Sequence, residues 1–259
     1  MKSIFIFFSF LVSTYCLAQN KEGVDSNFHL FLLVGQSNMA GRGALDSLSK
    51  EINLRIWMLD KNNKWVLATD PIHFDKPDVA GVGPGIAFAK ELVKTNPNIK
   101  IGLIPCAWGG SSIKVWQPDS PYINNSHPYD DAIKRTLLAK KYGVLKGVLW
   151  HQGEADNNKE GVEGYMARVT ELIQRFRIAF NNPQLPFIAG EIGYFGKSTA
   201  INKVLDQIPN KVPFTYTVSA KGLTDNGDKL HFNTTSAREL GRRYALGYEK
   251  VLVQSNGVR

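Results

Sequence analysis

Cysteine is nearly absent from this chain: 259 residues contain two, Cys16 and Cys106. A disulfide framework of the kind that staples small secreted domains is therefore excluded. No H-E-x-x-H helix occurs, and the 5 histidines form no close cluster with carboxylates at zinc-ligand spacing, so neither a metal nor another cofactor is expected. The G-x-S-x-G elbow of the larger serine-hydrolase fold is missing too. Lys and Arg number 31 against 23 Asp and Glu, a formal charge of +8. These cations are scattered, with no basic run interleaved with aromatics, which argues against nucleic acid as a partner. The 12 prolines and 23 glycines show no collagen-like period, and neither repeats nor low-complexity linkers are present.

What remains is the composition of an ordinary globular unit, 43% hydrophobic and 21% charged, at a length that suits one generous domain. The first twenty residues, MKSIFIFFSFLVSTYCLAQN, place Lys2 before a short apolar run, Ile4 to Val12, and a small residue at Ala18. That run is too short to cross a hydrocarbon core of about 30 Å as a helix. It has the layout of a secretory signal peptide. The expected organisation is a leader over 1–18 and a single domain over 19–259, secreted or periplasmic, without stable membrane insertion. Cleavage would remove Cys16 and leave Cys106, in the apolar string IGLIPCAW, as an inert core residue.

Apolar runs at Phe28–Val34, Lys100–Pro105, Leu145–His151 and Leu185–Glu191 read as buried strands, with a shorter alternating one at Phe214–Ser219. Helical periodicity marks Pro84–Thr95, Tyr129–Lys141, Val162–Ala179, Thr199–Ile208 and Thr234–Val251. Strands alternating with helices predict an α/β domain with a mostly parallel sheet covered on both faces. In such a domain functional residues gather at the carboxyl ends of the strands. Polar blocks do follow the apolar runs: GQSNM at 35–39, WGGS at 108–111 and HQGE at 151–154, with DKLH at 228–231 just before the last helix.

Ser37, at a strand-to-helix junction after Gly35, can point its hydroxyl into the crevice. A serine hydroxyl is a weak nucleophile until an imidazole takes its proton. His231 can do so if a carboxylate holds its other nitrogen, and Asp228 is three residues away. Glu154 competes with Asp228 for that place. The backbone N–H groups of Ser37 and Gly110, with the Gln152 amide, are candidate donors to a tetrahedral oxyanion. Trp108 and Trp116 could stack on sugar rings, and Arg42 could bond the adjoining loop or a substrate oxygen. His151 is expected to pack or hydrogen-bond, and Asp156 to cap a loop or helix.

Together GQSNMAGRG (35–43), GGSSIKVW (109–116), WHQGEAD (150–156) and DKLHF (228–232) resemble the sialate O-acetylesterase and acetyl xylan esterase group, carbohydrate esterase family six of the SGNH hydrolases. The resemblance spans about residues 28–248. It implies a three-layer α/β/α sandwich of flavodoxin-like SGNH type that removes O-acetyl groups from carbohydrates without a metal. It further implies Ser37 as nucleophile, Gly110 as oxyanion glycine, His231 as base and Asp228 as the acid of a D-x-x-H motif. The first block lacks the wider superfamily's G-D-S, and Gln152 replaces its asparagine; both agree with the carbohydrate-esterase branch. Acetyl xylan or a similar plant polysaccharide is the expected substrate. An O-acetyl sialate or small ester is the alternative, and a secreted carbohydrate-binding module is the non-enzyme reading.

Overall fold

Apolar side chains at successive strand positions need cover on both faces of the sheet. In a computed structural model describing residues 23–196 and 199–256, the FHLFLLV run is covered in this way. The expected leader, 1–18, lies outside those residues. Seven strands form one sheet: β1 (Asp25–Gly35), β2 (Ile56–Leu59), β3 (Trp65–Leu67), β4 (Lys100–Pro105), β5 (Gly143–His151), β6 (Phe187–Gly190) and β7 (Thr215–Val218). Their order is β3-β2-β4-β1-β5-β6-β7, and every pairing is parallel except that of β2 with β3. The helices are α1 (Ser37–Ala40), α2 (Gly85–Thr95), α3 (Pro128–Ala139), α4 (Lys159–Ala179), α5 (Ala200–Leu205), α6 (Ile208–Lys211) and α7 (Thr234–Asn256).

Alternation along β1 divides the core in two. Leu30, Leu32 and Val34 point to the layer of α3 to α6, meeting Leu172, Phe176 and Ile201. Phe31 and Leu33 point to the layer of α2 and α7, meeting Phe88, Leu240 and Tyr244. All five β1 side chains are fully buried, each contributing roughly 2 kcal/mol relative to exposure. Local signals set the helix limits. The Asn158 side chain accepts from Gly161 N at the start of α4, and α2 stops at Asn96, before Pro97. The expected α/β architecture, mostly parallel sheet and two-faced cover are all present.

Two departures have physical causes. The helix expected over Thr199–Ile208 ends at Leu205, and a second, α6, begins at Ile208. Pro209 lacks an N–H and fits the first turn of a new helix better than the interior of an old one. The β2–β3 hairpin was not anticipated, because its strands are only four and three residues long. Its turn is nevertheless built from local chemistry: Asp60 Oδ1 accepts from Asn62 N and Lys64 N, and Asn63 adopts φ 59°.

Successive parallel strands run outward from β1 in opposite directions, through β4 on one side and β5 on the other. The carboxyl end of β1 is therefore the switch point, where a crevice opens. Gly35 makes the exit there possible. Its φ is +122°, and a Cβ would lie 2.1 Å from the His151 carbonyl oxygen.

The loop between β3 and α2 brings Asp75, Lys76 and Val79 to this crevice, and Asp70 is its half-buried root. Burial pushes the Asp70 carboxyl up from 3.8 to about 7, against the attraction of Arg238 and Lys90. The folded chain thus holds a proton that the unfolded chain releases above about pH 4. Stability should consequently fall as pH rises from about 4 to about 7. Asp70→Asn has no such proton to lose. It is expected to be the more stable form at about pH 8, by at most about 4 kcal/mol, with little difference at about pH 4. Urea denaturation at the two pH values checks this.

Candidate active site

Ser37 opens α1 immediately beyond β1, and the loop between β7 and α7 returns His231 to face it. Ser37 Oγ and His231 Nε2 are 3.0 Å apart. A tight turn shapes that loop. Asp225 Oδ2 accepts from Gly227 N and Lys229 N, and Lys229 adopts φ 59°. Asp228 Oδ1 then receives Leu230 N and His231 N, each at 2.8 Å, leaving Oδ2 for His231 Nδ1 at 2.6 Å. The D-x-x-H spacing is therefore a folded unit in which the carboxyl and imidazole are positioned by the same turn.

Burial alone would raise the Asp228 carboxyl, but the His231 N–H, the imidazole and the Leu230 N–H outweigh it and hold it below its ordinary range. An ionised carboxylate only accepts hydrogen bonds, so His231 Nδ1 carries the ring hydrogen. Nε2 is left with its lone pair toward Ser37 Oγ, the tautomer that can receive the hydroxyl proton.

The residue after the serine ties this arrangement together. Asn38 Nδ2 donates to Leu230 O at 3.1 Å and to Glu154 Oε1 at 2.5 Å, while Asn38 Oδ1 accepts from Phe232 N at 3.0 Å. One buried amide thus grips the chain on both sides of His231. This contact also corrects the expectation for Glu154 as an alternative acid. Its Oε1 accepts from Asn38 and lies near His151, while the His231 imidazole is paired with Asp228.

Opposite Ser37 lies the glycine loop after β4. Gly109 N donates to Asp75 Oδ2 at 2.8 Å, and Arg42 donates to the same oxygen at 2.7 Å. A Cβ on Gly109 would fall 2.5 Å from the Arg42 guanidinium. Gly110 has φ +82°, and among the described residues its N–H has no protein acceptor. Ser37, Gly110, Arg42, Asp228 and His231 line one open cavity of about 620 Å³, with Gln36, Lys76 and Val79. Its backbone N–H groups can receive a small oxyanion. Among the described residues, no three His, Cys, Asp or Glu gather as a metal ion would require.

Several sequence expectations need correction. Gln152 is fully buried, and its Nε2 faces three acceptors: Gln36 Oε1, Ser111 O and Asp156 Oδ2. Tyr165 donates to its Oε1. The amide is consumed inside the protein and cannot serve as an oxyanion donor. Trp116 is also fully buried, donating to Ser111 Oγ and packing edge-on against Trp150, so it offers no face to a sugar. Trp108 is half-buried against Tyr122 and lines a neighbouring cavity of about 190 Å³, not the one holding Ser37. Arg42 does border the site, but its guanidinium is engaged by Asp75 and the Gly41 carbonyl. Cys106 is buried and its thiol is pushed up to about 11 by that burial, as expected of a core residue.

Asp75, Gln36 and Asn38 were missed. Asp75 carries no local sequence signal, since its partners are 33 and 34 positions away. Asn38 could have been suspected from its place beside Ser37. Asp156, expected to be a cap, accepts from Ser112 Oγ and Ile113 N and so anchors the far side of the glycine loop.

Comparison with known proteins bears on this geometry. A family model described as "Carbohydrate esterase, sialic acid-specific acetylesterase" matches residues 27–250. A protein of Arabidopsis thaliana named as a probable carbohydrate esterase is 36% identical over 244 residues, covering 85% of this chain and 89% of its own. Its crystal structure superposes with a TM-score of 0.78 at 34% identity, over 87% of this chain and 99% of that one. NanS has a TM-score of 0.69 at 17% identity, covering 90% and 99% of the two chains. Axe2, an acetylxylan esterase from Geobacillus stearothermophilus, has a TM-score of 0.51 at 14% identity, covering 88% and 96%. The last two likenesses show the fold, an α/β domain built on a mostly parallel sheet.

The Arg42–Asp75 pair supplies a test of how the glycine loop is held. Both side chains are nearly inaccessible, at 6% and 1% exposure. Asp75→Ala leaves a buried guanidinium uncompensated and is expected to cost about 3 kcal/mol. Removing both charges, with Arg42→Met added, should recover part of that loss. Urea denaturation of the single and double variants measures it.

Proposed function

The chain belongs to the carbohydrate esterase family of sialic acid-specific acetylesterases, and from that premise we propose that it hydrolyses O-acetyl esters of carbohydrates through an acetyl-serine intermediate. The observation that carries this reading is the chain of contacts from Ser37 Oγ through the His231 ring to Asp228, at 3.0 and 2.6 Å. These are the distances proton transfer needs.

In the proposed reaction His231 Nε2 accepts the Ser37 proton as Oγ attacks the acetyl carbonyl carbon. Asp228 accepts from Nδ1–H and stabilises the imidazolium that forms. Negative charge develops on the former carbonyl oxygen, where the N–H groups of Ser37 and Gly110 can donate to it. One such donor is typically worth about 3 kcal/mol in the transition state. His231 then returns its proton to the departing sugar oxygen, and the C–O ester bond breaks. In the second half His231 takes a proton from water, the hydroxide attacks the acetyl-serine, and Ser37 recovers its proton as acetate leaves.

The substrate class we favour is an acetylated polysaccharide such as acetyl xylan. A wide mouth bordered by Arg42, Lys76, Asn226 and Asp228 supports this choice over a long fatty acyl chain, which needs an apolar channel. Export to the periplasm or the exterior belongs to the same proposal and is supported by the layout of the first eighteen residues.

Ser37→Ala should lower kcat by about 10⁴-fold or more and abolish labelling by an organophosphonate, with the thermal unfolding profile retained. Asp228→Asn should lose about 10³–10⁴-fold through the wrong imidazole tautomer. Acetate release from acetyl xylan, O-acetyl sialic acid and aryl acetates measures both variants and ranks the substrates. Full turnover by Ser37→Ala would defeat the serine mechanism.

A further inference from the structure

Beneath the His231 loop lies a buried carboxyl that the mechanism above does not use. The Glu154 side chain is 8% exposed, and its Oε1 accepts from Asn38 while Oε2 has no partner. The His151 ring, fully buried, places Nε2 3.8 Å from that same Oε1, and Nε2 also has no partner. Hydrogen-bond direction fixes the tautomer of this histidine. Tyr244 Oη donates its one hydrogen to Trp150 O at 2.7 Å, so it can only accept from His151 Nδ1, 3.1 Å away. Nδ1 therefore carries a hydrogen, and in the neutral ring Nε2 presents a lone pair to Glu154.

An ionised Glu154 would set a buried negative carboxylate against that lone pair, two acceptors facing each other at 3.8 Å. We propose that Glu154 is a neutral positioning acid, protonated at neutral pH, with that proton turned toward the His151 Nε2 lone pair, and locking the Asn38 amide in the orientation that grips both flanks of His231. The kinetic consequence rests on the serine mechanism proposed above; the protonation state rests on the buried geometry alone.

The surroundings agree from every side. His151 comes from β5, Asn38 from α1, Tyr165 from α4 and Tyr244 from α7, and Asp156 lies two residues on. Both tyrosines are raised well above their ordinary range by burial. The facing cation is Lys229, exposed across a shallow cavity that also borders Glu154. Burial raises the Glu154 carboxyl, opposed by the Asn38 N–H and the backbone N–H groups of Glu154 and Gly153, and pushes His151 down to about 3. A neutral acid–imidazole pair avoids the desolvation that an imidazolium–carboxylate pair would incur in the same place. The proton count is equal in the two arrangements, so spectroscopy must distinguish them.

The test uses the whole enzyme. An infrared difference spectrum, wild type minus Glu154→Gln at neutral pH, should contain a protonated-carboxyl C=O band; the Asp70 band cancels because both proteins keep it. Nitrogen NMR should find His151 protonated at Nδ1 and bare at Nε2. Only carboxylate bands, or a doubly protonated His151, would overturn the proposal. In kinetics Glu154→Gln, which can accept from Asn38 and donate to His151, should keep kcat within about threefold of wild type. Glu154→Ala should lower kcat by tenfold to about a hundredfold with KM little changed, because the imidazole loses its register. A glutamine variant as damaged as the alanine one would show that the ionised carboxylate is needed, and would refute the neutral assignment. Should Ser37→Ala stay active while the infrared band is present, the serine mechanism fails and the protonation survives.

Discussion

The geometry of this crevice depends on one side-chain amide, that of Asn38. Ser37 and His231 come from opposite ends of the domain, and Asn38 spans 192 and 194 positions of sequence to reach the backbone on either side of the imidazole. Catalytic groups must be held within fractions of an ångström, and a loop rich in exposed turns does not hold itself that well. An amide is suited to the task because it donates and accepts in one rigid plane. Asn38 uses both capacities on the same loop, so rotation of the loop in either direction breaks a bond. Its position next to Ser37 means that the nucleophile and its base are registered to the same short helix.

The glycine loop is held on two sides by the same logic. Asp75 takes the Gly109 N–H on one side, with Arg42 as its counter-charge. Asp156 takes Ile113 N and Ser112 Oγ on the other, and Gln152 ties Asp156, Ser111 O and Gln36 into one network. Backbone groups at strand ends have left the sheet ladder, and burying them without partners would cost roughly 1–3 kcal/mol each. Carboxyls and amides at these positions therefore satisfy the loops. In doing so they leave Gly110 N–H unclaimed, the one kind of group that an incoming oxyanion can use.

Much of this was legible in the sequence, and the boundary of legibility is physical. Ser37, Asp228 and His231 could be placed because each follows an element whose type is set by periodicity, and strand-to-loop junctions in parallel sheets converge. The D-x-x-H spacing also has local meaning, since Asp228 caps the turn that presents His231. Gln152 and Trp116 were misassigned because spacing gives a residue's neighbourhood and not the direction of its side chain. Both lie beside the site in sequence and point away from it, into the buried network and the Trp150 contact. Asp75 gave no warning because its role exists only through Arg42 and Gly109, on other loops. The β2–β3 hairpin escaped for a different reason: strands of three or four residues have too few positions to show a period.

The sequence reading favoured Asp228 over Glu154 as the partner of the imidazole, and their surroundings show why. Asp228 has 43% of its side chain exposed, yet its oxygens collect two backbone N–H groups and the imidazole. Those donors favour the charged form, and water completes the solvation. Glu154 has one side-chain donor, Asn38, with the Glu154 and Gly153 N–H groups nearby, and its side chain is only 8% exposed. Burial there favours the uncharged form, and the same desolvation acts on His151 beside it. A negative charge opposite a developing imidazolium is useful only if the carboxyl is ionised before the reaction begins. The turn that exposes Asp228 thus does more for its charge than a pocket would, because its N–H groups are supplied by the residues that carry the imidazole itself.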